Sequence, residues 1–208
     1  MKTIILLAFV AGMFVACCGC VGDGNNADKA TPTAPAAPDG MALFRSEDGG
    51  FYLFVPEDWT QSVSDEKTKF NDGDVIAETS TSITEEGWNE PTASVRVQVV
   101  KLATGVDLKK IAASKAEWFE RRWSANDGMQ TKSIEFGEMK GVEYSMQHLT
   151  RAGGADFARL ILGVKNEYGY IVHTRRAAGN SEYDEVIDKI VKSFKIYAAP
   201  KRLANKDK

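Results

Sequence analysis

The chain has 208 residues, 26 Lys+Arg against 29 Asp+Glu, and a formal net charge of −3, with 43% hydrophobic residues. That length suffices for one domain with its own core, and an acidic balance without a basic patch interleaved with aromatics excludes a nucleic-acid partner. All 3 cysteines fall at Cys17, Cys18 and Cys20, so the rest of the chain folds without disulfides or thiolate ligands.

Met1-Lys2-Thr3 and the apolar run 4–16 (IILLAFVAGMFVA) read as a short positive start and the apolar segment of an export signal. The run is too short for a membrane span, which needs roughly 20 apolar residues. Phe14-Val15-Ala16-Cys17 resembles the lipobox of bacterial and archaeal lipoproteins, in which an aliphatic and a small residue precede an invariant cysteine. The resemblance implies removal of 1–16, a lipid on the Cys17 sulfur and acylation of its new amine. Cys20, after Gly19, is the alternative attachment point. Several acyl chains hold a protein on a membrane where one does not. A structural zinc is disfavoured, because it takes four ligands and the window supplies three thiols.

Residues 17–40 are rich in Gly, Ala and polar residues, with Pro32, Pro35 and Pro38 spaced evenly and no apolar period. They read as a tether, reaching on the order of 25 Å over about 22 residues. The chain is therefore expected to sit at the cell envelope, lipid-anchored on the extracytoplasmic side of a membrane.

The globular domain is expected over 41–197, followed by a charged tail over 198–208. Residues 50–55 (GFYLFV) form a strand between the turn signal 47–50 and Pro56. Asn71-Asp72-Gly73-Asp74 is a hairpin turn between strands 67–70 and 75–82. In 93–99, Val95, Val97 and Val99 alternate as on a half-buried antiparallel strand. The period then becomes helical over 107–123, with Leu108, Ile111, Ala112, Trp118 and Phe119 on one stripe and Lys115 and Arg122 snorkelling to water beside it. Strands follow at 131–139 and 142–150, joined by Lys140-Gly141, and at 155–164 and 170–175. Ser181-Glu182-Tyr183-Asp184 matches a capping box, and Tyr183, Val186, Ile187, Ile190, Val191 and Phe194 mark the inner face of a last helix. Strands, helix, meander, helix describe an α+β fold.

Residues 50–59 (GFYLFVPEDW) resemble the opening of PsbP-like domains, and 187–196 (IDKIVKSFKI) resembles their closing helix ending in Ser-Phe. Gly141-Val142-Glu143-Tyr144 and Gly169-Tyr170-Ile171-Val172 are similar to two of their strand starts. The resemblance, spread over 41–196 and shared with Mog-type proteins, implies an α/β/α sandwich. It has a mostly antiparallel sheet of about six strands, two main helices and a binding or assembly role. It also implies that Trp59 plugs the core and anchors the first hairpin to a helix.

No nucleophile elbow, P-loop, dinucleotide fingerprint or zinc-protease motif occurs, and no cofactor is implied. His148 is in step with Val142, Tyr144 and Met146, and His173 with Ile171, so on neighbouring strands they would approach one another. They are the only candidates for a surface metal site, with Glu143 or Asp156 nearby. The competing reading is two polar residues satisfied in or beside the sheet. The carboxylate pairs Glu57-Asp58, Asp65-Glu66 and Glu85-Glu86 are solvated loop charges. Trp88 lies in the aperiodic loop 85–91, where an aromatic either inserts in the core or is exposed as an interaction site. The leading expectation is a non-catalytic binding or assembly module engaging an envelope protein partner. The alternative is a small-ligand or metal-binding lipoprotein using the sheet face near His148 and His173.

Overall fold

The computed structural model describes residues 35–64, 69–70, 73–86, 90–123, 128–149 and 155–201; Cys17, Cys20 and Trp88 lie outside them. The first half of the domain runs β1 (Met41–Ser46), β2 (Phe51–Pro56), β3 (Thr60–Ser64), β4 (Lys69–Phe70), β5 (Gly73–Ile83), β6 (Ala93–Leu102) and α1 (Leu108–Trp123). The second runs β7 (Gln130–Phe136), β8 (Met139–Leu149), β9 (Ala155–Lys165), β10 (Tyr168–Arg176), α2 (Glu182–Ser193) and β11 (Lys195–Ile196). Strands β1, β2 and β11 form a small sheet, and an eight-stranded sheet has the order β3-β5-β6-β10-β9-β8-β7 with β4 beside β5. Every pairing is antiparallel.

Because side chains alternate across a strand, the large sheet feeds two apolar clusters. On one face Val95, Val97, Val99, Ile161, Tyr170 and Val172 meet Phe51, Leu53 and Val55 of the small sheet and Ile187, Ile190 and Phe194 at α2. On the other, Val100, Tyr144, Met146, Leu160, Leu162 and Ile171 meet Ile111, Ala112 and Phe119 of α1. The result is the expected α+β sandwich, with α1 below the large sheet and α2 with the small sheet above it. Trp59 is buried edge-on against Tyr183 of α2, ring centroids 6.2 Å apart, the anchoring role that the resemblance implied.

Strands β1, β3 and β11 add to those expected, because they are short or lack an apolar period, whereas β4 falls within the expected strand 67–70. The turn between β7 and β8 is Gly137-Glu138, both at positive φ (53° and 67°), rather than Lys140-Gly141, which lies inside β8. Gly141 is there for close approach: a Cβ would stand 2.5 Å from the Leu162 carbonyl oxygen. At α1, Asp107 Oδ1 accepts the Lys110 amide at 2.9 Å, an N-cap. At α2 the expected capping box is not made: Ser181 is already helical and forms no side-chain cap bond. Asp184 instead accepts the Arg176 Nε at 2.5 Å. Lys115 is buried rather than snorkelling, and Ala198 and Lys201 donate backbone bonds to Gly50 and Asp48, so pairing extends past residue 197.

Burial pushes the Tyr170 phenol up to about 12, with Tyr168 adding to the shift. Between the unfolded value of about 10 and that folded value, the folded state holds the proton that the unfolded state has lost. Stability is therefore complete below pH 10 and falls as pH rises through the folded value, by on the order of 2–3 kcal/mol. Chemical denaturation from pH 8 to 12 should show this decline, and Tyr170→Phe should make it shallower. Tyr144 and Tyr183, raised chiefly by burial, retain the remainder. An unchanged slope in Tyr170→Phe would remove Tyr170 as its source.

Candidate functional site

Helix α2 covers β10 and β6 but leaves β7–β9 partly open, and the gap is a cleft of about 450 Å³, a size in the range of small-ligand sites. Ile134 lies at its bottom beside Phe136, Ile161 and Phe194, which are themselves buried, so the exposed wall is mostly polar. Sheet register places Lys132 beside Glu143, and Glu143 beside Ile161, in one row across β7, β8 and β9. From α2 come Asp188, Val191 and Lys192, which helical spacing of three and four puts on one side.

Charges cross this floor in a chain. Lys132 Nζ is 2.9 Å from Glu143 Oε1, Arg159 Nε is 3.8 Å from the same oxygen, and Arg159 Nη1 donates to Asp188 of α2. The Glu143 side chain is 8% exposed, a position where an ionised carboxylate is costly unless paired. Two cations supply the pairing. Arg159 Nε is buried with no hydrogen-bond partner among the described residues, and is held there only by the longer ion pair to Glu143. At the mouth, Lys195 stands 3.7 Å from Glu138, with Lys192 and Glu135 beside them. Among the described residues no Ser, Thr, Cys or His lines the cleft. Its geometry suits reversible binding of a charged group.

The expected histidine pair is not brought together. Strand β9 lies between β8 and β10, with His148 opposite Asp156 and His173 opposite Leu160. Two strand spacings of about 4.8 Å and four residues of about 3.3 Å separate their backbone positions by about 16 Å. Strand side chains stand roughly perpendicular to the sheet, so this spacing does not serve one ion. The His173 ring packs edge-on against Trp118 and Phe119, at 6.2 and 5.8 Å. The two carboxylates considered beside the histidines are ion-paired: Glu143 as above, and Asp156 with Arg175 at 2.6 Å. Among the described residues no group of three or more His, Cys, Asp or Glu could hold a metal. Trp118, expected on the buried stripe of α1, is 46% exposed.

Sequence reasoning passed over Lys132, Arg159, Asp188 and Lys192. One signal was available: Arg159 is a charge inside the apolar run of β9, and such a residue needs a partner from another element.

No family model and no curated protein matches the chain. Solved structures similar to it include a protein from Bacteroides thetaiotaomicron VPI-5482, at 12% identity and TM-score 0.49 over 78% of this chain. The match spans about half of that protein, 51% of its length. Cyanobacterial PsbP (CyanoP) from Synechocystis sp. PCC 6803 is similar at 13% identity and TM-score 0.45, over 79% of this chain and 97% of that one. Mog1 is similar at 10% identity and TM-score 0.48, over 76% and 96%. PsbP- and Mog-type structures, the group that residues 50–59 and 187–196 resemble, are thus among those this chain is similar to. No ligand or partner is taken from them.

Proposed function

We propose that this chain is a lipid-anchored, extracytoplasmic and non-catalytic binding module that engages an envelope protein through the cleft between α2 and β7–β9. The observation that carries this reading is the cleft itself: a mostly polar wall, a rim of both charge signs, and inner carboxylates already occupied by cations. Anchoring rests on the apolar run 4–16 ending at Ala16-Cys17 and on the tether 17–40. No helix among the described residues is long and apolar enough to cross a membrane.

Cys17→Ser should abolish acyl labelling and leave the precursor with its segment 1–16 uncleaved. Labelling that survives Cys17→Ser but is lost in Cys20→Ser would transfer the anchor to Cys20, and no labelling of the parent chain would overturn the anchor. For the cleft, the full chain captured from solubilised membranes should retain a protein partner that Lys192→Glu/Lys195→Glu loses at least tenfold. Both are exposed positions at the mouth, so the fold is kept, as thermal melting would verify. Equal capture by the variant would remove the cleft from the interaction.

A further inference from the structure

Strand β2 is apolar or aromatic at every step from Phe51 to Pro56. An antiparallel strand with one solvated face alternates in polarity, and a continuous apolar run belongs to a strand covered on both faces. The fold covers only one: Phe51, Leu53 and Val55 are at most 3% exposed, while Tyr52, Phe54 and Pro56 point the other way and are half-buried. β6 shows the ordinary pattern and gives its second face to Ser94, Arg96 and Gln98. On the outer face of the small sheet, register sets Leu43 beside Phe54 and Arg45 beside Tyr52. The Tyr52 ring lies 6.0 Å from Phe54 and 6.4 Å from Tyr197, and the Arg45 guanidinium sits 4.2 Å over Tyr197. Leu43, Tyr52, Phe54 and Tyr197 belong to neither core cluster, and Leu43 is 37% exposed. Arg45 covers Tyr197, which leaves Leu43, Tyr52 and Phe54 as an apolar row at the surface.

We propose that this face is covered by the same face of a second copy of the chain, the two small sheets stacked about a two-fold axis that crosses the strands at the Leu43–Phe54 row. Charges at the two ends of the face select this occupant and this axis. At the hairpin end, Arg45, Lys195 and Lys201 alternate with Glu47, Asp48 and Glu138 in ion pairs. At the end where the chain enters β1, Asp39, Glu57 and Asp58 are exposed, and among the described residues none of them is ion-paired. An axis across the strands lays the carboxylate end of each copy over the cation-bearing end of the other. An axis along the strands would set the three carboxylates over their own kind. An anionic lipid surface would repel the carboxylate end, whereas a second copy brings both halves of the charge pattern. Aligned stacking of two sheets is an ordinary packing mode, and the contact is isologous and closes on itself. The row is far smaller than the roughly 20–30 residues a side of a standard interface, so the dimer is weak and exchanging. The proposal does not rest on the cleft or on the lipid anchor.

Thiol cross-linking tests it. The axis sets Leu43 over Leu43 of the second copy, at the roughly 10 Å that separates stacked sheets, a span that a short bismaleimide bridges. The full chain carrying Cys18→Ser, Cys20→Ser and Leu43→Cys, treated with that reagent, should give a dimer band at least tenfold stronger than the same background without Leu43→Cys. Adding Phe54→Lys should remove the band. Adding Asp39→Lys and Glu57→Lys, both at exposed positions, should weaken it at least threefold; thermal melting verifies that each chain is folded. Ser133→Cys, at the centre of β7 in the large sheet, should stay monomeric. The proposal is overturned by a Leu43→Cys chain that takes a single maleimide label yet does not cross-link, or by equal cross-linking of Ser133→Cys. A band that ignores Asp39→Lys and Glu57→Lys overturns the axis, and a product of another mass puts a different partner on the face and overturns the second copy.

Discussion

Phe194→Ala should lower stability by about 3–5 kcal/mol, the range for truncating a buried aromatic. Phe194 is 1% exposed and lies where three elements meet. Its ring stacks on Phe136 at 4.4 Å and Phe51 at 5.1 Å, and meets Tyr170 edge-on at 5.8 Å. Gly137 abuts it so closely that a Cβ there would sit 2.6 Å from the ring, and at φ 53° that turn does not shift cheaply to refill the void. A cost of this size should lower Tm by roughly 6–20 °C at 2–4 °C per kcal/mol. Because Phe194 is also part of the cleft floor, the loss should carry over to partner capture. Calorimetry of the variant checks the first claim; a drop under 1 kcal/mol would mean the three rings close over the void.

Why this residue stood out in sequence, and others did not, follows from what each element buries. Helix α2 puts Ile187 and Ile190 under a single apolar stripe, so a period of 3.6 exposes its inner face directly. β6 alternates over 93–99 because one face is covered and the other, with Arg96, is open, whereas β10, buried on both faces over 168–172, reads as a continuous run. β3 shows no apolar period because its side chains are exposed on both faces over 60–63, and β1 owes its burial to the neighbouring β2. Lys140-Gly141 mimics a turn, since glycine for close backbone approach and glycine for positive φ are the same letter.

The site was less legible than the fold. Its charges come from β7, β8, β9 and α2, and no local spacing links Lys132, Glu143, Arg159 and Asp188. His148 and His173 share a face pattern with their strands, yet sequence does not say that β9 runs between them. The expectation of export and anchoring rests on the composition of residues 1–40 and on the pattern at Phe14–Cys17, and no tertiary packing enters it.

Asp156 and Arg175 offer the second large effect, and it should be asymmetric. Asp156 Oδ2 accepts Arg175 Nε at 2.8 Å and lies 2.6 Å from Nη2, while Arg175 Nη1 reaches Glu90 at 3.1 Å. The Asp156 side chain is 6% exposed, against 23% for Arg175 and 73% for Glu90. Arg175→Met therefore strands a buried carboxylate and should cost about 3 kcal/mol, the lower end for breaking a buried pair from one side. Asp156→Asn leaves the arginine with Glu90 and partial hydration, and should cost about 1 kcal/mol. Combining Arg175→Met with Asp156→Leu should restore the chain to within about 1 kcal/mol of the parent, because the pair's own attraction mostly offsets its desolvation. The same series separates an ion-paired Asp156 from one reserved for a metal beside His148. A metal-reserved carboxylate would tolerate Arg175→Met and gain thermal stability from added divalent cations; an ion-paired one loses stability on that change, and the cations do not restore it.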